Sequence, residues 1–190
     1  DAINGTKNQI KQDLKLLNLM GKKSNDKFIP EIYKTASIEQ RWELVRGLMD
    51  TDGSVTKDGR CSFTTISSQL MQDMREVLWS LGCTASVTIR HPSFTYKGEK
   101  KQGQVAYTIS IGAKHPKQLF NLMRKKDRCR ESHGDGRITL RRRVKSIEFS
   151  HKALAQCIMI DDETHLYITD DYIVTHNTTA ALNFGKTLGI

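Results

Sequence analysis

Two groups of residues in this chain have the types and spacing of reactive chemistry. The first is His176-Asn177-Thr178, reached through the strand-like runs of residues 166–175. An Asn can cut its own backbone. Its side-chain amide nitrogen attacks the Asn carbonyl carbon, a succinimide closes, and the bond to the next residue breaks. His176 is placed to polarise that carbonyl or to protonate the leaving amine. Thr178 carries a hydroxyl that can accept an acyl chain once it is activated. The same triplet also makes an ordinary turn. The second group is Asp50 and Asp52, where an apolar helical pattern stops. Carboxylate oxygens suit a hard divalent cation, and a phosphodiester cut uses such cations. Asp-Gly after a helix is equally common loop chemistry. Neither group means much without its surroundings.

The elements that must position them follow from apolar spacing. Ile10, Leu14, Leu17 and Met20 recur at helical intervals, and Gly21 is placed to end that helix. Phe28-Ile29-Pro30 reads as a short extended anchor. A helix is expected from Ser37, an N-cap with Gln40 three residues on. Its inward face carries Ile38, Trp42, Val45, Leu48 and Met49, and it ends at 50–53. Two strands follow around a turn at Lys57-Asp58-Gly59. A third helix spans about 67–81 with Leu70, Met74, Val77, Leu78 and Leu81 inward, and Gly82 ends it. A strand at 84–90, a loop with Pro92, Gly98 and Gly103, a strand at 105–111 and a short helix from His115 complete the pattern. Residues 124–137 have the composition of a linker. From Ile138 to Thr175 the pattern is β throughout, and residues 178–190 read as helix.

The chain has 190 residues and a formal charge of +9. That balance points to an anionic partner, nucleic acid first, against the alternative of a solvated basic surface. No apolar run reaches the roughly eighteen residues of a membrane span, and the N-terminus is not a signal peptide. Cys61, Cys83, Cys129 and Cys157 are widely spaced, which fits reduced thiols in an intracellular protein. A chain opening at Asp1 without Met reads as a fragment or a processed piece.

Val45-Arg46-Gly47-Leu48-Met49-Asp50-Thr51-Asp52-Gly53 resembles the LAGLIDADG motif of homing endonucleases. Lys27-Phe28-Ile29-Pro30 before it, and Phe63-Thr64-Thr65, Ser67, Leu70, Leu78 and Ser80-Leu81-Gly82 after it, resemble the version embedded in inteins. The resemblance implies an α-β-β-α-β-β-α subdomain over 27–137. It implies double-stranded DNA as partner, Mg²⁺ as cofactor, Asp52 as metal ligand and Asp50 as a brace of the helix end. In the family two such helices pack through small residues. Gly47 fits that approach, whereas Arg46 stands where many members keep a small side chain. A basic residue past a later strand is also implied, and Lys114 occupies that place, with an exposed surface lysine as the alternative. The family needs two motifs and this chain holds one. Residues 1–26 then read as the end of a first subdomain lying upstream, and a missing upstream half or partner chain completes the site.

Residues 144–148, 157–161, 165–169 and 171–177 resemble the two C-terminal splicing blocks of inteins. The chain is thereby expected to be α+β, the endonuclease subdomain being followed by the all-β C-terminal part of a Hint splicing domain over 138–177. Splicing needs no cofactor, but it needs the N-terminal intein fragment. By resemblance Asn177 cyclises, His176 assists, His165 orients Asn177, and Thr178 is the acceptor at the start of a C-extein, 178–190. Cys157 and Thr175 fit a class in which such a Cys attacks the N-terminal junction and a Thr precedes the penultimate His; other inteins carry this Cys while using an ordinary first-residue nucleophile, and a buried structural Cys is the remaining alternative. Residues 178–190 resemble the helix after a phosphate loop, so the expected host is a P-loop ATPase such as a phage terminase large subunit. Two other readings stay open: a stand-alone, dimerising DNA-binding or nuclease module, and a splicing remnant whose nuclease is dead.

Overall fold

The computed structural model describes residues 8–130, 145–152, 154 and 158–176. It divides into two units, Asp1–Leu140 and Arg141–Ile190. The first unit is mixed helix and sheet. Helix α1 (Gln9–Leu16) is capped by Asn8, whose side chain accepts from the Lys11 N–H. It stops short of Gly21, because Asn18 already turns left-handed at φ 55°. The one-turn α2 (Glu31–Lys34) leads to α3 (Ile38–Asp52). Helix α3 begins in a full capping box: Ser37 Oγ accepts from the Gln40 N–H, and the Gln40 side chain accepts from the Ser37 N–H. Its Val45 and Met49 are fully buried.

Strands β1 (Gly53–Val55) and β2 (Cys61–Thr65), helix α4 (Ser68–Ser80), and strand β3 (Thr84–Arg90) follow. Strands β4 (Ser93–Tyr96) and β5 (Glu99–Gln102) form a separate hairpin. Strand β6 (Ala106–Gly112), a 3₁₀ turn (Pro116–Leu119) and α5 (Met123–Lys126) close the unit. One antiparallel sheet has the order β1-β2-β6-β3. Strand side chains alternate between faces. One face carries Val55, Cys61, Phe63, Ile109 and Ile111 into the core, which also holds Leu70, Met74, Val77 and Leu78 of α4. Each large side chain so buried contributes about 1.5–3 kcal/mol. The other face carries hydroxyls in register: Ser54, Ser62, Ser110 and Ser86 form one cross-strand row, and Thr64, Thr108 and Thr88 another.

The segment before α2 is strapped to α4. Ser67 Oγ donates to the Lys27 carbonyl at 2.6 Å, and buried Asp73 accepts the Ile29 N–H at 2.8 Å. Lys34 pairs with Glu31 and Glu76 over the same joint.

Three expectations differ from this fold. Residues 92–103 are not a plain loop. Lys97 and Gly98 both take positive φ, 52° and 82°, the conformation that joins two strands tightly. Residues 124–130 are not a linker, since Lys125 and Cys129 are buried. In the second unit, the described residues of 145–152 and 158–161 form no strand. An extended run needs a partner edge for its backbone groups, and among the described residues of this unit β7 (Leu166–Thr169) and β8 (Ile173–His176) find one, in each other. No helix among the described residues is long and apolar enough to cross a membrane.

Cys61 and Cys129 lie with sulfurs 3.8 Å apart, and Cys83 is buried separately. Burial pushes the Cys61 thiol up to about 12 and the Cys83 thiol up to about 11, from an ordinary 9.0, and raises Cys129 as well. Above pH 9.0 the unfolded chain releases thiol protons that the folded chain still holds. Stability is therefore expected to be intact below that pH and to fall as the pH climbs toward 11–12. Urea unfolding on either side of pH 9.0 checks this, and Cys83→Ala should shrink the drop. The same burial predicts that iodoacetamide reaches Cys61, Cys83 and Cys129 only after unfolding, read by peptide mapping.

Candidate functional site

Helix α3 ends in two carboxylates, Asp50 and Asp52, with no basic residue in its last turn. That is the wrong sign for a helix C-terminus, whose carbonyls already present partial negative charge. A cation from elsewhere offsets it. Lys125 of α5 is buried, and its ammonium donates to the Met49, Asp50 and Gly53 carbonyls at 2.8, 2.9 and 2.6 Å. An ammonium has three N–H bonds, and all three are used. Burial and the nearby Arg124 lower the pKa of Lys125, while the charges of Asp50 and Asp52 push it back up.

The contact is reciprocal. The Asp50 carboxylate accepts the Asn121 N–H at 3.1 Å and the Leu122 N–H at 3.2 Å, at the start of α5. One turn earlier, Arg46 donates from Nε to the Gln118 carbonyl at 3.0 Å. Arg46 and Asp50 are four residues apart and so share a helix face. Together with Lys125 they pin α3 to residues 118–125. Arg46 thus fills a place on the side of α3 that faces this segment. Gly53 finishes the joint. A Cβ there would lie 2.5 Å from the Met49 carbonyl oxygen, so the chain can leave the helix this sharply only without a side chain.

Asp52 differs from Asp50. It is exposed, and among the described residues its carboxylate has no hydrogen-bond partner. A carboxylate without a hydrogen-bond partner at a helix end has the oxygen chemistry that a hard cation such as Mg²⁺ would accept. One carboxylate is a fraction of a site, and the described residues hold no group of three or more His, Cys, Asp or Glu that could bind a metal. Lys114 is exposed on the turn after β6. The charges of Asp50 and Asp52 act on Lys125, which the sequence left inside a linker. Its only sequence signal was a lysine within a charged run.

The flank of α3 away from Lys125 is open. Gly47 is exposed, and a Cβ added to it would meet nothing within 4 Å. Leu44 and Leu48 line an open apolar cleft of about 280 Å³ with Leu19, Phe28, Pro30 and Tyr33.

In the second unit, β7 and β8 pair so that Leu166 faces His176 and Tyr167 faces Thr175. This register brings His165 beside His176, with ring centroids 6.0 Å apart and edge to face. His165 Nδ1 lies 3.1 Å from the Ile160 carbonyl, an acceptor that fixes the ring proton on Nδ1. Its backbone is left-handed, φ 50°, a conformation His tolerates better than most residues. Thr175 and His176 are half-buried, whereas Leu166, Ile168, Ile173 and Val174 are exposed. Cys157, Asn177 and Thr178 lie outside the described residues.

The sequence model of the family described as "Homing endonuclease" matches residues 28–132. The chain is 31% identical over 169 residues to the replicative DNA helicase DnaB of Mycobacterium intracellulare, covering 87% of this chain and 28% of that protein. It is 32% identical over 93 residues to the homothallic switching endonuclease of Saccharomyces cerevisiae, covering 45% of this chain and 16% of that protein. The chain thus spans well under a third of either relative.

Lys125 and Asp52 predict opposite responses. Lys125→Met leaves three carbonyls without their donor and should lower unfolding stability by about 3 kcal/mol, seen as a lower urea midpoint at unchanged slope. Asp52→Asn should change it by less than about 1 kcal/mol, in the stabilising direction, since it removes a charge that opposes the helix dipole.

Proposed function

The chain belongs to the homing endonuclease family, and on that premise we propose that it is the C-terminal part of an intein, joining half of a DNA-cleaving endonuclease to a protein-splicing tail. The observation that carries the splicing reading is the β7–β8 register, which sets His165 against His176 one residue before Asn177. The chemistry there is self-contained. A bond forms between the Asn177 side-chain nitrogen and its carbonyl carbon, and the bond to Thr178 breaks. The attacking nitrogen gives up one proton, and His176 supplies one to the departing amine. No water is consumed, so the site must exclude it. His165 is a positioning residue for this step. Thr178 is the acceptor for the upstream chain. Cys157 and Thr175 serve the other junction, where Cys157 is the nucleophile.

Two features support an upstream partner for this tail. A lone two-stranded hairpin is marginal in water, and β7 and β8 leave Leu166, Ile168, Ile173 and Val174 exposed. A complementary N-terminal splicing fragment would cover them. The host reading draws on the helicase relative. An endonuclease-like segment within a protein described as a helicase is what an inserted element looks like, and the likeness spans 87% of this chain, beyond its endonuclease part. A P-loop ATPase host agrees with that, a helicase or a terminase alike.

The endonuclease half contributes Asp52 as a ligand for Mg²⁺. A cation held there would stabilise the charge that develops on a phosphodiester being cut. The open flank at Gly47, Leu44 and Leu48 would receive the helix of a second motif, which brings the second acid. Lys114 is the basic residue assigned to the phosphate. The hydroxyl rows of the sheet and Arg90 at the end of β3 would lie against duplex DNA.

Co-expression with the complementary upstream fragment should give cleavage between residues 177 and 178 and ligation at Thr178, seen by intact mass. Asn177→Ala should abolish the cut and His165→Ala should slow it. A 177–178 bond that stays whole in the wild type contradicts the splicing reading. The chain alone should bind duplex DNA without cutting it, whereas the two-motif protein should cut with Mg²⁺ and lose activity in Asp52→Asn. Cleavage by the chain alone would instead favour pairing of two copies through the Gly47 face.

A further inference from the structure

The β4–β5 hairpin has no part in the core. All eight of its strand residues are exposed, and its strands pair only with each other. The register places Phe94 opposite Lys101 and Tyr96 opposite Glu99. Strand alternation then puts both rings on one face, and each is 53% exposed. Exposing two adjacent aromatic rings wastes the largest apolar burial available to a chain, so the fold does not account for them. The charges around them are mostly positive. Lys97 and Lys101 lie 5.6 and 5.1 Å from the Tyr96 ring centre, and Lys100 is on the opposite face. Glu99 is the one acid on the hairpin, and Lys101 lies 4.0 Å from it.

Rings flanked by ammonium groups on a projecting two-stranded ribbon suit a ligand that is both flat and anionic. Nucleic acid has that combination: bases stack on aromatic faces while lysines track the phosphates. In an intact duplex the bases are stacked on one another and their faces are hidden, so rings of this kind act where a step is opened. We propose that Phe94 and Tyr96 form a base-stacking site that engages unstacked nucleotides of the bound DNA. Lys97 and Lys101 hold the adjoining phosphates. The proposal rests on the DNA-binding reading above and adds to it a preference for distorted or opened duplex.

Three short DNA probes of mixed sequence separate the outcomes: an intact duplex, the same duplex with an unpaired bulge, and the bulge carrying 2-aminopurine as a stacking reporter. The full chain should bind the bulged duplex about ten-fold more tightly than the intact one and quench the reporter. Phe94→Ala/Tyr96→Ala should erase both effects while leaving intact-duplex affinity and its salt dependence unchanged. Lys101→Ala should weaken both duplexes together and reduce the salt slope by about one. Equal wild-type affinity for the two duplexes, or a preference that survives in the double variant, overturns the stacking site alone. No binding to either duplex removes the DNA-binding reading with it. A change in sedimentation of the double variant without a change in DNA preference would assign the rings to self-association and overturn the proposal.

Discussion

The ammonium of Lys125 on three carbonyls is the contact on which the homing endonuclease domain depends. A helix C-terminus leaves carbonyls without partners, and here the helix also carries two acids at its negative end. Either feature alone would fray the last turn. Lys125 supplies three donors and one positive charge at the point where both are needed, and the Asp50 carboxylate returns two acceptor contacts to the start of α5. The helix therefore runs intact to Asp52 and leaves it at Gly53, with the last carboxylate held at the edge of the sheet.

The two carboxylates divide the work. Asp50 is spent on the fold, because its oxygens are occupied by the Asn121 and Leu122 N–H groups. Asp52 is left exposed, unpartnered among the described residues and unfavourably placed against the helix dipole. A protein under selection for stability alone gains nothing from it. Arg46 belongs to the same lock through its bond to the Gln118 carbonyl, while its neighbour Gly47 lies open.

Much of this was legible in the sequence. The Ser37–Gln40 box, the inward faces of α3 and α4 apart from Ile38, which is exposed at the first turn of α3, the strand order by kind and the apolar stop at residues 50–53 all follow from local spacing. Asp50 as a brace was also readable, although it braces the next helix rather than its own. What could not be read was anything fixed by distant partners. Lys125 sits in a run of charged residues and nothing local marks it as the one that turns inward. Likewise the 92–103 hairpin depends on a lysine in a left-handed turn, a position that residue type does not announce. In the tail, β-branched residues signalled strands along the whole of 138–175. A strand exists only with a partner edge, and among the described residues of this stretch 166–169 and 173–176 supply one to each other. That pairing is nevertheless the part that unites His165, Thr175 and His176.

The central claim for the endonuclease half is that a locked helix end presents the Asp52 carboxylate, and not Asp50, to a divalent cation. Mn²⁺ titration of the labelled chain followed by amide NMR tests it directly, because paramagnetic broadening reports weak binding by position. The account predicts that residues 51–54 broaden first, that the effect persists in Asp50→Asn where the fold survives, and that it disappears in Asp52→Asn. Broadening centred on another part of the chain, or unchanged in Asp52→Asn, would contradict it.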